Sequence, residues 1–190
     1  MVSAAIVHGT MGSPQGNWFP WLKTELEKRS VAVTVPAMPT PEGQTLQGWR
    51  SAFADQVGAL NTGSLLIGHS VGAVFALRYL ESCKIPIGAV FLVVFLVAGF
   101  TGTLGLSEYD ALNASFVDGT YDWAAIERNA KKIFCISGDN DPYVPLSQGQ
   151  EIARELGVEH HIIRGGGHLN AEFGYTRFPE LLELCASVIT

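Results

Sequence analysis

Short apolar runs rich in valine and isoleucine alternate along this chain with longer segments of helical period, and few architectures accept that alternation. The runs cover residues 4–8, 31–35, 65–68, 89–98, 133–137 and 160–163. Segments of helical spacing lie at 19–28, 46–60, 71–82, 121–131, 147–156 and 179–189. An apolar run without polar alternation is a strand buried on both faces, and parallel strands need a helical crossover between them. The pattern predicts an α/β fold, doubly wound, over residues 1–190 as a single domain. At 190 residues, with 47% hydrophobic and 16% charged, the chain has material for one sizeable core and no repeat or interdomain linker. In an open sheet of this kind the chemistry is expected at the carboxyl ends of the strands.

Composition narrows the functional classes. A net charge of −6 and no basic run longer than Lys131-Lys132 argue against nucleic acid as a partner, which would require a basic face. Cys83, Cys135 and Cys185 are too few and scattered for a disulfide framework or a zinc site, so a reducing compartment is expected. The chain opens as a strand, without the pattern of a signal peptide, which makes cytoplasmic the default location. The apolar stretch 85–100 is shorter than the about 20 residues a bilayer span needs, and Pro86, Gly88 and Gly99 interrupt it, so no membrane association is expected. Glu159, His160 and His161 are consecutive in an expected strand whose side chains alternate, so they cannot easily converge on one ion, and no metal is expected. Gly9 and Gly12 follow the first strand without a P-loop lysine or a dinucleotide-type glycine spacing; no cofactor is expected.

One constellation carries chemistry. Leu65 to Val74 read as a buried strand, then Gly68-His69-Ser70-Val71-Gly72, then a helix of small and apolar residues. A serine in such a sharp strand-to-helix turn is held out for attack, and its neighbours must be small for strand and helix to approach. The helix N-terminus places the Val71 N–H beside Ser70, where it can stabilise an oxyanion. A serine needs a base and an acid to orient that base. Both stand in loops after later strands: Gly138-Asp139-Asn140-Asp141-Pro142 and Gly165-Gly166-Gly167-His168. Pro142 restricts Asp141 to an extended conformation, which makes it the first choice for the acid, with Asp139 as competitor. His168 follows three glycines and so has freedom to swing over the serine. His69 is fixed inside the elbow and points away from the nucleophile. A second oxyanion donor is expected from the loop after the first strand, from the backbone N–H of Thr10, with Met11 as the alternative. Trp18, Phe19 and Trp21 sit at helical spacing and read as core. Residues 99–122, carrying Tyr109, Leu112 and Phe116, are too apolar for a plain loop and read as either a short cap over the site or a helix covering the sheet.

Taken together, His8-Gly9 after the first strand, Gly68-His69-Ser70-Val71-Gly72, Gly138 through Asp141-Pro142 with Val144-Pro145, and Gly167-His168 resemble the α/β-hydrolase superfamily over nearly the whole chain. The Trp18-Phe19-Pro20-Trp21 and Met38-Pro39 segments look more like its small serine hydrolase branch, the group of YdeN and the retinoblastoma-binding hydrolase. The resemblance implies Ser70 as nucleophile, Asp141 as acid and His168 as base. It also implies a minimal fold with a six-stranded parallel sheet in the order 2-1-3-4-5-6. One departure is Ala98, where a serine is common in that branch, which leaves the local pocket lining open. The expectation is a serine hydrolase acting on a small-molecule ester or related acyl compound. The rival expectation is a non-enzymatic protein-binding module that keeps the fold.

Overall fold

The computed structural model describes residues 2–95 and 107–189. Six strands form one sheet, β1 (Ser3–Val7), β2 (Ala32–Thr34), β3 (Ser64–His69), β4 (Ala89–Val93), β5 (Ile133–Gly138) and β6 (His160–Ile163), ordered β2-β1-β3-β4-β5-β6. Every pairing is parallel. Because side chains alternate along a strand, each strand feeds two cores. Ala4 and Ile6 of β1, Leu65 and Ile67 of β3, and Phe91 and Val93 of β4 pack on one face with α1 (Phe19–Glu27) and α7 (Pro179–Ala186). Ala5, Val7, Leu66, Val90 and Leu92 face the opposite way, against α2 (Leu46–Gln56), α3 (Val71–Ser82), α5 (Trp123–Arg128) and α6 (Leu146–Glu155). Trp18 and Phe19 are fully buried, in keeping with a core role.

The helix limits differ from those the spacing suggests, for local reasons. Helix α2 stops at Gln56 rather than running to Leu60, because Gly58 takes φ +76° and turns the chain out in the left-handed region. Helix α5 begins at Trp123, where the Asp122 side chain accepts the Ala125 N–H, and ends at Asn129, whose amide donates to Leu80 O and Cys83 O on α3. Strand β4 ends at Val93, five residues before the end of the apolar run; Val94 turns away at φ +42°, and residues 96–98 lie outside the described residues. Of the segment 99–122, residues 99–106 also lie outside them, and the next stretch is a helix, α4 (Ser107–Val117).

The anchor of α4 is a charged residue on α3, the helix that follows Ser70. Arg78 of α3 is only 6% exposed. Its Nε donates to Phe116 O at 2.9 Å, and its two terminal nitrogens reach Asp118 O, Thr120 O and the Glu81 carboxylate. The guanidinium lies 3.8 Å from the centroid of the Tyr121 ring. One planar group therefore donates to carbonyls in the last turn of α4 and in the segment just after it. Replacing it with an apolar side chain takes its donor from the buried Phe116 carbonyl and its partner from the half-buried Glu81 carboxylate. Arg78→Met should lower the unfolding free energy by about 3 kcal/mol or more, and Arg78→Lys should restore little, since an ammonium cannot span the same acceptors. Urea unfolding monitored by tryptophan fluorescence measures this; a loss below about 0.5 kcal/mol would contradict the clamp.

Candidate active site

The serine of the elbow sits where the sheet and α3 come closest. A Cβ built on Gly72 would meet the carbonyl oxygen of His8 at 2.6 Å and that of Val7 closer still. One built on Gly68 would lie 2.5 Å from the Cα of Ala73. No side chain fits at either place, so helix and strand cross backbone to backbone. Between them Ser70 takes φ +57° and ψ −126°, a strained conformation for a residue with a Cβ. The Ser70 N–H is tied to Val93 O at 2.9 Å, and its carbonyl accepts from Ala73 and Val74. Val71 is the first residue of α3, so its N–H has no intrahelical acceptor and stands at the positive end of the helix dipole.

The loops after β5 and β6 are latched together residue by residue. Asp139 Oδ1 accepts the Gly165 N–H and Asn140 Oδ1 the Gly167 N–H, each at 2.7 Å. Asp141 Oδ2 accepts from His168 Nδ1 at 2.8 Å. Asp141 Oδ1 receives the Tyr143 and Val144 N–H groups at 2.8 and 3.1 Å, which fixes the carboxylate. The Asp141 side chain is 1% exposed and that of His168 9%. Asp139, the competitor in the sequence, is thus bonded to a loop amide and not to the imidazole. The glycine run is not free to swing His168, as its spacing suggests; two of its amides are held by side chains of the β5 loop. With Nδ1 donating to Asp141, His168 keeps the lone pair of Nε2.

Ser70 and His168 line one cavity of about 230 Å³ together with Thr10, and a second of about 200 Å³ lies beside it, lined by the same three residues and by Gly9–Gly12 and Asn17. Among the described residues the first is also lined by Tyr109 and Asn113 of α4, by Tyr143 and by Glu172, all polar or aromatic. Tyr143 O–H donates to the Glu172 carboxylate at 3.0 Å, and its ring stands edge-on to His168. The Met11 N–H, the alternative oxyanion donor, is bonded to Thr40 Oγ1 at 2.7 Å. Among the described residues no group of three or more His, Cys, Asp or Glu side chains is arranged to hold a metal ion, and no helix is long and apolar enough to cross a membrane.

The family model for serine hydrolases matches residues 4–187. The chain belongs to the serine hydrolase family. It is 28% identical to YdeN of Bacillus subtilis (strain 168) over 184 residues, 96% of this chain and 93% of that one. The serine hydrolase RBBP9 of Rattus norvegicus is 26% identical over 190 residues, covering 98% of this chain and 95% of its own. The crystal structure of YdeN superposes with a TM-score of 0.90, covering 99% of this chain and 98% of that chain at 26% identity. Esterase PE8 shares the fold at a TM-score of 0.65 and 17% identity, over 98% of this chain and 92% of that one.

This serine hydrolase holds two further histidines, buried and neutral, around its elbow, and both have supporting roles that the sequence did not announce. His69 donates Nε2–H to His168 O at 3.0 Å and packs edge-on between the Trp18, Phe19 and His168 rings. Its Nδ1 faces the interior without a partner, so a proton there would be stranded, and burial pushes its pKa down to about 3. His8 donates Nδ1–H to Gly9 O at 2.8 Å and accepts the Met38 N–H on Nε2 at 3.0 Å. Burial lowers its pKa as well. Trp18 Nε1–H donates to Leu169 O at 2.9 Å, which ties the first aromatic cluster to the residue after His168. The sequence signal for these contacts is weak, since His69 bonds a carbonyl 99 residues away and Trp18 one 151 residues away.

Both histidines bind fewer protons folded than unfolded. Stability is therefore complete above their ordinary pKa of 6.5 and falls as pH drops below it, for His69 down to about 3. Each such group contributes a slope of about 1.4 kcal/mol per pH unit inside its window. Urea unfolding at pH 7.5 and pH 5.5 should show a loss on the order of 2 kcal/mol at the lower pH, reduced in His69→Gln. Equal stability at both values would contradict neutral burial.

Proposed function

We propose that this chain hydrolyses a carboxylic ester or a related acyl compound through Ser70, His168 and Asp141. The observation that carries the reading is a strained serine sharing a cavity with an imidazole whose Nδ1 is bonded to a buried carboxylate. His168 Nε2 takes the Ser70 hydroxyl proton as Oγ attacks the carbonyl carbon. The N–H groups of Val71 and Thr10 receive the oxyanion; Thr10 is preferred because the Met11 N–H is already engaged by Thr40. The protonated imidazole, held in place by Asp141, then gives its proton to the departing alcohol. Water attacks the acyl enzyme in turn, with His168 again as base, and Ser70 is regenerated.

Two small cavities sharing Ser70 suit one substrate lying across the serine, acyl group on one side and leaving group on the other. Among the described residues both cavities are small for a long acyl chain, so short acyl esters are the favoured substrate class. Ser70→Ala should abolish hydrolysis of p-nitrophenyl acetate. Asp141→Asn should lower kcat by roughly 10³- to 10⁴-fold, and Asp139→Asn, which keeps its acceptor oxygen for Gly165, by less than about 10-fold. Residual turnover in Ser70→Ala, or a larger loss in Asp139→Asn than in Asp141→Asn, would overturn the assignment. A preference for palmitate over acetate or butyrate esters would overturn the substrate class.

A further inference from the structure

Behind the Thr10 loop lies a buried polar network that no motif in the sequence points to. Gln44, 5% exposed, and Asn113 of α4, 4% exposed, face each other, with Gln44 Nε2 donating to Asn113 Oδ1 at 2.8 Å. Gln44 Nε2 also donates to Thr10 Oγ1 at 2.8 Å, and Thr10 O–H donates to Asn113 Oδ1 at 2.7 Å. On its other side Gln44 Oε1 accepts from Thr40 O–H at 2.6 Å, which leaves Thr40 Oγ1 to accept the Met11 N–H. The Thr10 hydroxyl proton goes to Asn113 Oδ1 and that of Thr40 to Gln44 Oε1. Both ends of the Gln44 carboxamide thus grip one peptide, through the side chain of Thr10 and through the N–H of Met11.

That peptide is the centre of a tight turn. The Gly12 N–H donates to Gly9 O at 3.0 Å, with Thr10 and Met11 as the two middle residues. Met11 stands at φ +58°, a position such turns normally give to glycine, although its side chain is 58% exposed and packing does not hold it there. A left-handed residue without packing persists only where hydrogen bonds over-determine it. Without the Thr40 acceptor the central peptide is free to flip toward negative φ at Met11, and the Thr10 backbone moves with it.

We propose that Gln44 is a positioning residue for the oxyanion hole, holding the strained Thr10–Met11 turn so that the Thr10 N–H faces the attacked carbonyl. The inference rests on the proposed function above, since it assigns a role within that reaction. It also gives α4 a part in catalysis: Asn113 is the acceptor on which both Gln44 and Thr10 converge, so this helix lines the cavity and braces the loop at once.

The test compares wild type, Gln44→Leu and Thr40→Val, the last removing in a nearly isosteric side chain the hydroxyl that accepts from Met11 and donates to Gln44 Oε1. Rates are expressed per site titrated with a fluorophosphonate, which discounts misfolded protein. Gln44→Leu should lower kcat for p-nitrophenyl acetate about 10- to 100-fold and Thr40→Val about 3- to 10-fold, with KM within about 3-fold. Affinity for a short alkyl boronic acid, whose serine adduct places an oxygen in the oxyanion hole, should weaken by about the same factors as kcat/KM. A purely structural role predicts unchanged kcat per titrated site. Unchanged kcat in Thr40→Val, or lowered kcat with unchanged boronate affinity, overturns the positioning role, and Thr40→Val decides alone if Gln44→Leu does not fold. Wild-type protein that neither reacts with the fluorophosphonate nor hydrolyses the ester would instead overturn the proposed function, and this inference with it.

Discussion

Helix α3 begins where the carbonyl oxygens of Val7 and His8 leave no room for a side chain, and most of the site follows from that crossing. Gly72 allows the helix to touch β1, Gly68 allows it to touch its own strand, and the residue between them is bent to φ +57°. A serine in that bend cannot relax, because its N–H is bonded to β4 and its carbonyl is committed to α3. The bend places Ser70 at the cavity, directly before the first N–H of the helix. It is sustained by the two cores, which fix α3 on one face of the sheet and β1, β3 and β4 beneath it.

The same edge collects further strained residues, each secured differently. Met11 after β1, Val94 after β4 and Leu169 after His168 all lie at positive φ, as Ser70 does. Val94 is held by its N–H to Ile136 O, Leu169 through Trp18, and Met11 through Thr40 and Gln44. Behind the loops, His8 bonds Gly9 O and the Met38 N–H, and His69 bonds His168 O. Polar contacts from the loops after β1, β5 and β6 and from α4 shape the cavity among the described residues.

What was legible in the sequence is what depends on local pattern. The buried strands around Leu65 and Ile133, the small residues around Ser70, and the loops carrying Asp141 and His168 follow from periodicity and from the demands of a tight turn. Element ends were less legible, because α2 ends on the left-handed Gly58 and α5 on the long-range bonds of Asn129. Helix α4 was legible as one of two readings of the segment 99–122, whereas its anchor, Arg78, lies on another helix and was not. The three glycines before His168 suggested mobility, whereas Asp139 and Asn140 hold their amides; which acceptor a glycine amide finds is a property of the fold and not of the run. Gln44 reads as an ordinary loop residue between Pro41 and α2, and only the folded chain brings it to Thr10.

The central claim is that the bend at Ser70 holds out the one nucleophile of this serine hydrolase. The most direct test is intact-protein and peptide mass spectrometry after incubation with a p-nitrophenyl carbamate, whose carbamoyl adduct is released slowly. The account predicts one carbamoyl group per chain, located on the peptide containing Ser70 and lost when Ser70 is replaced by alanine. An adduct on another residue, or continued ester hydrolysis by protein that never forms one at Ser70, would contradict it.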